Sequence, residues 1–70
     1  MKTLRGVILE NRVKEIRTKL NIQQKDLAQL VGISRQTLSL IEKGEYNPSL
    51  KLCVSLAEEL QTDLNTLFWH

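Results

Sequence analysis

Apolar residues recur along this chain at helical spacing. Val13, Ile16 and Leu20 stand at i, i+3 and i+7, with the charged residues Arg12, Lys14, Glu15 and Lys19 around them. That is one face of a helix running from about Asn11 to Leu20, its charged side in water. In "NIQQKDLAQLVG", Leu27, Ala28, Leu30 and Val31 read as the inner face of a second helix, which Gly32 ends. Ser34 is a good N-cap for a third helix, Arg35 to about Lys43, stopped by Gly44. Leu38 and Ile41 form its buried stripe, and Leu40, next to Ile41, turns away from it. Pro48 breaks the pattern at "EYNPSL", and Ser49 caps a fourth helix with Leu50, Cys53, Val54, Ala57 and Leu60 inward. In "QTDLNTLF", Thr62 or Asp63 caps a short fifth helix presenting Leu64, Leu67 and Phe68.

The pattern therefore predicts an all-α domain of five helices spanning residues 7–70. The segment Met1–Gly6 shows no periodicity and is expected to be flexible. "VILE" and "LFW" carry β-favouring residues, and these N- and C-terminal segments can pair as a small two-stranded antiparallel sheet. No repeat or low-complexity segment interrupts the layout.

Composition narrows the classes. Seventy residues at 41% hydrophobic and 26% charged content suit one small soluble domain rather than a disordered chain. No apolar run nears the ~18 residues of a membrane span, and Val7–Leu9 is too short for a signal peptide. The single Cys53 excludes an internal disulfide framework and fits the cytoplasm. Cys53 reads as a small buried hydrophobe and His70 as an exposed terminal residue. No metal-ligand cluster, phosphate loop or nucleophile–base pair is visible, so neither an enzyme nor a cofactor is expected. A net charge of +2 permits a nucleic-acid partner without demanding one. A domain this small often gains stability by self-association, which makes a homodimer an early expectation.

The sharpest signal lies between Gln24 and Ile41. A helix-turn-helix needs a small residue where the helices cross (Ala28) and a positive-φ residue in the turn four places later (Gly32). It also needs an apolar plug after the turn (Ile33) and two apolar residues laid onto the first helix (Leu38 and Ile41). An ordinary αα-hairpin would share any one of these features but rarely all. On a 100°-per-residue wheel centred on Leu38 and Ile41, the open side carries Gln36, Ser39, Leu40 and Lys43, with Arg35 and Thr37 on its flanks. Arginine can pair with guanine O6/N7 and glutamine with adenine N6/N7, and a leucine can pack on a thymine methyl. Arg35 and Gln36 are thus the main candidate base readers, with Ser39 and Leu40 beside them.

The stretch "QQKDLAQLVGISRQTLSLIEKGEYNPSL" resembles the Cro/repressor type of helix-turn-helix, the XRE family of bacterial and phage transcriptional regulators. The resemblance runs from about Asn11 to Phe68. It implies binding of double-stranded DNA as a homodimer, with the third helix in the major groove of a palindromic operator, most simply as a repressor. It assigns base contacts to the first recognition-helix positions and to Leu40. It assigns phosphate contacts to Gln24, Ser34, Thr37, Lys43, Tyr46 and Asn47, with Gln24 bracing Gln36. Arg17 and Glu42 match the family's internal ion pair. Leu64, Leu67, Phe68 and Trp69 match the end through which members dimerise, where closing the monomer core is the alternative. The chain departs from the family at Gln23, a poor N-cap standing where Ser or Thr is usual, with Asn21 the nearest good cap. The fold also occurs in antitoxin-like and cofactor modules that bind other proteins, so a protein partner is the rival expectation. No small-molecule ligand is expected.

Overall fold

A computed structural model describes residues 11–68 of the chain. The five helices are α1 (Val13–Lys19), α2 (Gln24–Leu30), α3 (Arg35–Glu42), α4 (Leu50–Glu59) and α5 (Leu64–Leu67). There is no strand among the described residues. Met1–Gly6 and the pairing partner Val7–Leu9 lie outside them, as do Trp69 and His70. The two ends of the helical body nonetheless meet, for the Arg12 N–H donates to the Leu67 carbonyl at 3.0 Å.

Side-chain caps start three of the helices. The N-caps Ser34, Ser49 and Asp63 accept from the backbone N–H groups of Thr37, Leu52 and Thr66. The Thr66 N–H holds the Asp63 carboxyl below the usual carboxylate range. Because the folded value is the lower one, this cap's contribution is complete above the unfolded value and fades as pH falls through the folded one. For α1, Asn11 Oδ1 accepts from the Val13 N–H at 3.0 Å, one residue ahead of the formal cap Arg12. Gln23 is the N-cap of α2 and makes no side-chain cap bond. Asn21 does not replace it. It sits at φ 60, completing the end of α1.

The ends of the first four helices follow one plan. A residue of positive φ comes just after the C-cap, namely Asn21, Gly32, Gly44 and Gln61 in turn. Its N–H bonds back three residues, and the next N–H bonds back five, as in Ile22 to Arg17, Ile33 to Ala28, Glu45 to Leu40 and Thr62 to Ala57. This double closure satisfies carbonyls that a bare helix end leaves open. At Gly32 it also forms the helix-turn-helix corner, aiming Ile33 back toward the core. Asn21 and Gln61 take the same backbone shape with a Cβ present, a conformation that costs about 1–2 kcal/mol outside glycine.

The core gathers Val13, Leu27, Ala28, Leu38, Ile41, Cys53, Leu56, Ala57, Leu60, Leu67 and Phe68. The α3 stripe is as expected, with Leu38 and Ile41 fully buried. Each contributes about 1.5–3 kcal/mol by leaving water. α2 packs mainly on α3, and α4 on α5 and α2. Burial raises the Cys53 thiol above its ordinary value, so it stays protonated and apolar in character.

Several expected core residues are exposed instead. Leu20 is 40% exposed, Leu30 59%, Leu50 66% and Val54 37%. Leu20 is the C-cap of α1, where the stripe has already ended. On α2 the inner face centres on Leu27, Ala28 and Val31, which turns Leu30 about 100° aside. On α4 the buried set is Cys53, Leu56, Ala57 and Leu60. Leu50 and Val54, four residues apart, lie together on its flank.

Candidate nucleic-acid interface

α3 is built to present one side. Leu38 and Ile41 fix its inner face, and Arg35, Gln36 and Lys43 are exposed on the other. Ser39 and Leu40 are half-buried on the margin, so Leu40 is less open than the helical wheel suggests. The first turn is rigid. Ser34 Oγ accepts from the Thr37 N–H at 3.0 Å and donates its own proton to Thr37 Oγ1 at 2.9 Å. Beyond α3, Tyr46 is 43% exposed and Asn47 is exposed, while the buried Pro48 anchors their loop. Lys43, the α3 C-cap, puts a positive charge at the negative end of the helix dipole.

Behind this face runs a polar chain. Arg17 Nε donates to Glu42 Oε2 at 2.7 Å and Arg17 Nη2 to Glu42 Oε1 at 3.3 Å, a two-pronged pair. The two side chains are 10% and 3% exposed. Arg17 Nη1 also donates to the Ile22 carbonyl at 2.9 Å, tying α1 to the loop before α2. Gln24 Nε2 donates to Glu42 Oε1 at 2.9 Å, and Gln24 Oε1 accepts from Arg35 Nε at 3.3 Å. Gln24 therefore braces Arg35, not Gln36 as the family comparison implied. Arg35 is the longer donor and begins α3 on the side nearer α2. No buried side-chain polar atom of the described residues lacks a partner. Asn11 adds a tie the sequence pattern did not reveal, its Nδ2 donating to the Ile41 carbonyl at 2.9 Å.

The expected interface residues divide. Leu64 is half-buried against the core. Leu67 and Phe68 are 0% and 1% exposed within the single chain and have no surface left for a partner. They close the monomer core, because α5 folds back so that both side chains meet α4 and the other core helices. Trp69 lies outside the described residues. Among the described residues, no group of three or more His, Cys, Asp or Glu could hold a metal ion. None of the described helices is long and apolar enough to cross a membrane.

Two helices locked at a glycine corner, the second capped by serine and opening a polar face, define a helix-turn-helix domain. A helix-turn-helix family model matches residues 13–67. The chain belongs to that family, as an XRE-type transcriptional regulator. It is 42% identical over 60 residues to an uncharacterised HTH-type transcriptional regulator of Archaeoglobus fulgidus, covering 86% of this chain and 84% of that one. Among solved structures, the restriction-modification controller protein C.AhdI from Aeromonas hydrophila is 29% identical with a TM-score of 0.76, over 89% of this chain and 92% of that one. The P22 c2 repressor protein, crystallised in complex with a synthetic operator, is 30% identical with a TM-score of 0.73, over 91% of each chain.

Proposed function

We propose that this regulator binds double-stranded DNA as a homodimer, with α3 in the major groove of a palindromic operator, and represses transcription by covering promoter DNA. The observation that carries the reading is the exposed first turn of α3, where Arg35 and Gln36 stand free of the core on a capped, rigid helix. The likeness to an operator-bound repressor over most of both chains supports it. Arg35 and Gln36 read base edges, and Ser39 and Leu40 lie where they reach the adjoining positions. Thr37 offers its own hydroxyl proton to a phosphate, since its oxygen already accepts from Ser34. Ser34, whose own hydroxyl proton goes to Thr37, acts on that phosphate through Thr37, and Gln24, Lys43, Tyr46 and Asn47 grip the backbone around it, adding salt-dependent affinity without sequence information.

The dimer contact falls on the α4 flank that carries Leu50 and Val54, 66% and 37% exposed. An antiparallel crossing of two copies centred between Val54 and Ser55 sets Lys51 of one copy opposite Glu58 of the other. Such a dimer would hold its two α3 helices about 34 Å apart, one per half-site. Sedimentation should show a dimer at micromolar concentration that Val54→Asp dissociates. A wild-type monomer, with or without DNA, would remove the dimer and its palindrome.

Selection from random DNA should enrich an inverted repeat. Arg35→Ala should lose preference at one base pair per half-site, worth about 1–3 kcal/mol. No enrichment at moderate salt would favour a protein-binding module instead. Leu40→Ala should relax a thymine preference near the operator's inner edge with only a small loss of stability. A large loss of stability with preference intact would assign Leu40 to packing.

A further inference from the structure

We infer that Asn11 is a positioning residue for the DNA backbone contacts made after α3, holding the corner from which Lys43, Tyr46 and Asn47 project. The inference rests on the DNA-binding reading above. Asn11 stands ahead of α1, and two of its bonds run in opposite senses. Its Oδ1 accepts from the Val13 N–H at 3.0 Å, and its Nδ2 donates to the Ile41 carbonyl at 2.9 Å. A backbone N–H can only donate and a carbonyl can only accept, so the amide has one workable orientation. Aspartate would set an acceptor against the Ile41 carbonyl. Serine would keep the turn with Val13 and fall short of α3. A short carboxamide serves both ends.

The Ile41 carbonyl lies where the end of α3 is closed. It also accepts from the Gly44 N–H at 3.0 Å, and the Glu45 N–H reaches back to the Leu40 carbonyl at 2.8 Å. Gly44, at φ 76, turns the chain there. Those backbone bonds fix the corner to α3 alone. Asn11 fixes it to the start of α1, across 30 positions of sequence. Arg17 and Glu42 join the same two helices through side chains. Asn11 precedes the first turn of α1, whereas Arg17 lies in its last. Two attachments so placed keep the end of α3 from pivoting about the ion pair, which one attachment would allow.

The consequence falls on the loop that follows. The Gly44 corner anchors its near end and the buried Pro48 its far end. Lys43 sits just before the corner, and Tyr46 and Asn47 lie between the anchors, all three exposed. A phosphate contact needs its donor within hydrogen-bond reach, so a corner that drifts weakens all such contacts together. These contacts carry no base information. Asn11 therefore acts on affinity and its salt dependence, and not on base preference. Its bond to Ile41 is partly buried, and losing one neutral hydrogen bond corresponds to an effect of about fivefold.

The test measures operator binding by the full chain with Asn11→Ser and Asn11→Asp, both of which keep an acceptor for the Val13 N–H. Titrations run below the melting midpoint of each variant, so that folded protein alone is compared. Asn11→Ser should weaken binding about fivefold on every operator sequence alike, with base preference unchanged. Its slope of log affinity against log salt should fall toward that of Lys43→Ala, which loses about one phosphate contact. In a Lys43→Ala background, Asn11→Ser should cost less than it does alone. In the free protein the Gly44 amide, which shares the Ile41 carbonyl, should shift and exchange faster. A folded Asn11→Ser variant with wild-type affinity and salt slope overturns the inference and leaves Asn11 with stability alone. A loss confined to one base pair, or full additivity with Lys43→Ala, overturns it too. If Asn11→Ser does not fold, Asn11→Asp decides by the same cycle, because its added charge acts equally with or without Lys43. If the wild type binds no DNA, the DNA-binding reading fails and the positioning role falls with it. The Gly44 amide then still reports whether the tie to α1 exists.

Discussion

Replacing Glu42 with alanine is expected to destabilise the fold by about 3–5 kcal/mol. The carboxylate is 3% exposed and accepts from both Arg17 and Gln24. Its loss leaves the Arg17 guanidinium, 10% exposed, with the Ile22 carbonyl as its remaining partner. An unpaired charge at that depth costs more than the pair itself contributes, because the desolvation is no longer offset. For a domain of this size the total stability is about 4–10 kcal/mol. The variant should therefore sit close to unfolding at room temperature, its thermal midpoint lowered on the order of 20 °C. Urea melts of Glu42→Ala beside Arg17→Met/Glu42→Leu give a clean comparison. Removing both charges should recover part of the loss, since neither is then stranded. An unfolding free energy for Glu42→Ala within about 0.5 kcal/mol of wild type would show that the pair is not structural.

Phe68→Ala should cost a similar amount, about 3–5 kcal/mol, by opening a cavity in the core of a single chain. Phe68 is 1% exposed and its N–H closes α5 on the Leu64 carbonyl at 2.8 Å. The loss should appear at every protein concentration, because nothing in it depends on a second copy. An interface residue would behave differently. Its truncation would weaken self-association and leave the isolated chain's melt nearly unchanged. Melting Phe68→Ala across a hundredfold range of concentration separates the two. A wild-type melt with impaired dimerisation would return Phe68 to the interface.

The parts of this fold legible in the sequence are those governed by local rules. Ser34, Ser49 and Asp63 announce helix starts because their short side chains reach an N–H three residues on. Gly32 and Gly44 announce ends because positive φ suits them. Leu38 and Ile41 announce the inner face of α3 by spacing alone. The Arg17–Glu42 pairing came from family likeness, since no local rule joins residues so far apart. What stayed hidden depends on neighbours from elsewhere in the chain. Asn21 and Gln61 adopt the left-handed turn without the residue that normally signals it. Leu50 and Val54 satisfy an apolar pattern, yet α4 rolls so that Leu56 takes the buried place. Gln24 could have braced either Arg35 or Gln36, and the choice turns on the geometry of α2 against α3. The fate of Leu67 and Phe68 was open because a short apolar helix reads alike whether it covers its own core or another copy's.

The bond from the Arg12 N–H to the Leu67 carbonyl helps close the helical body on itself, beside the shared packing of Val13, Leu67 and Phe68 in one core. Joining the two ends covalently with a short peptide would replace that closure with a permanent one. Every contact of the folded state could remain, while the unfolded chain would lose the freedom of its separated ends. Cyclisation is thus a route to a sturdier regulator that leaves the DNA-facing side of α3 untouched.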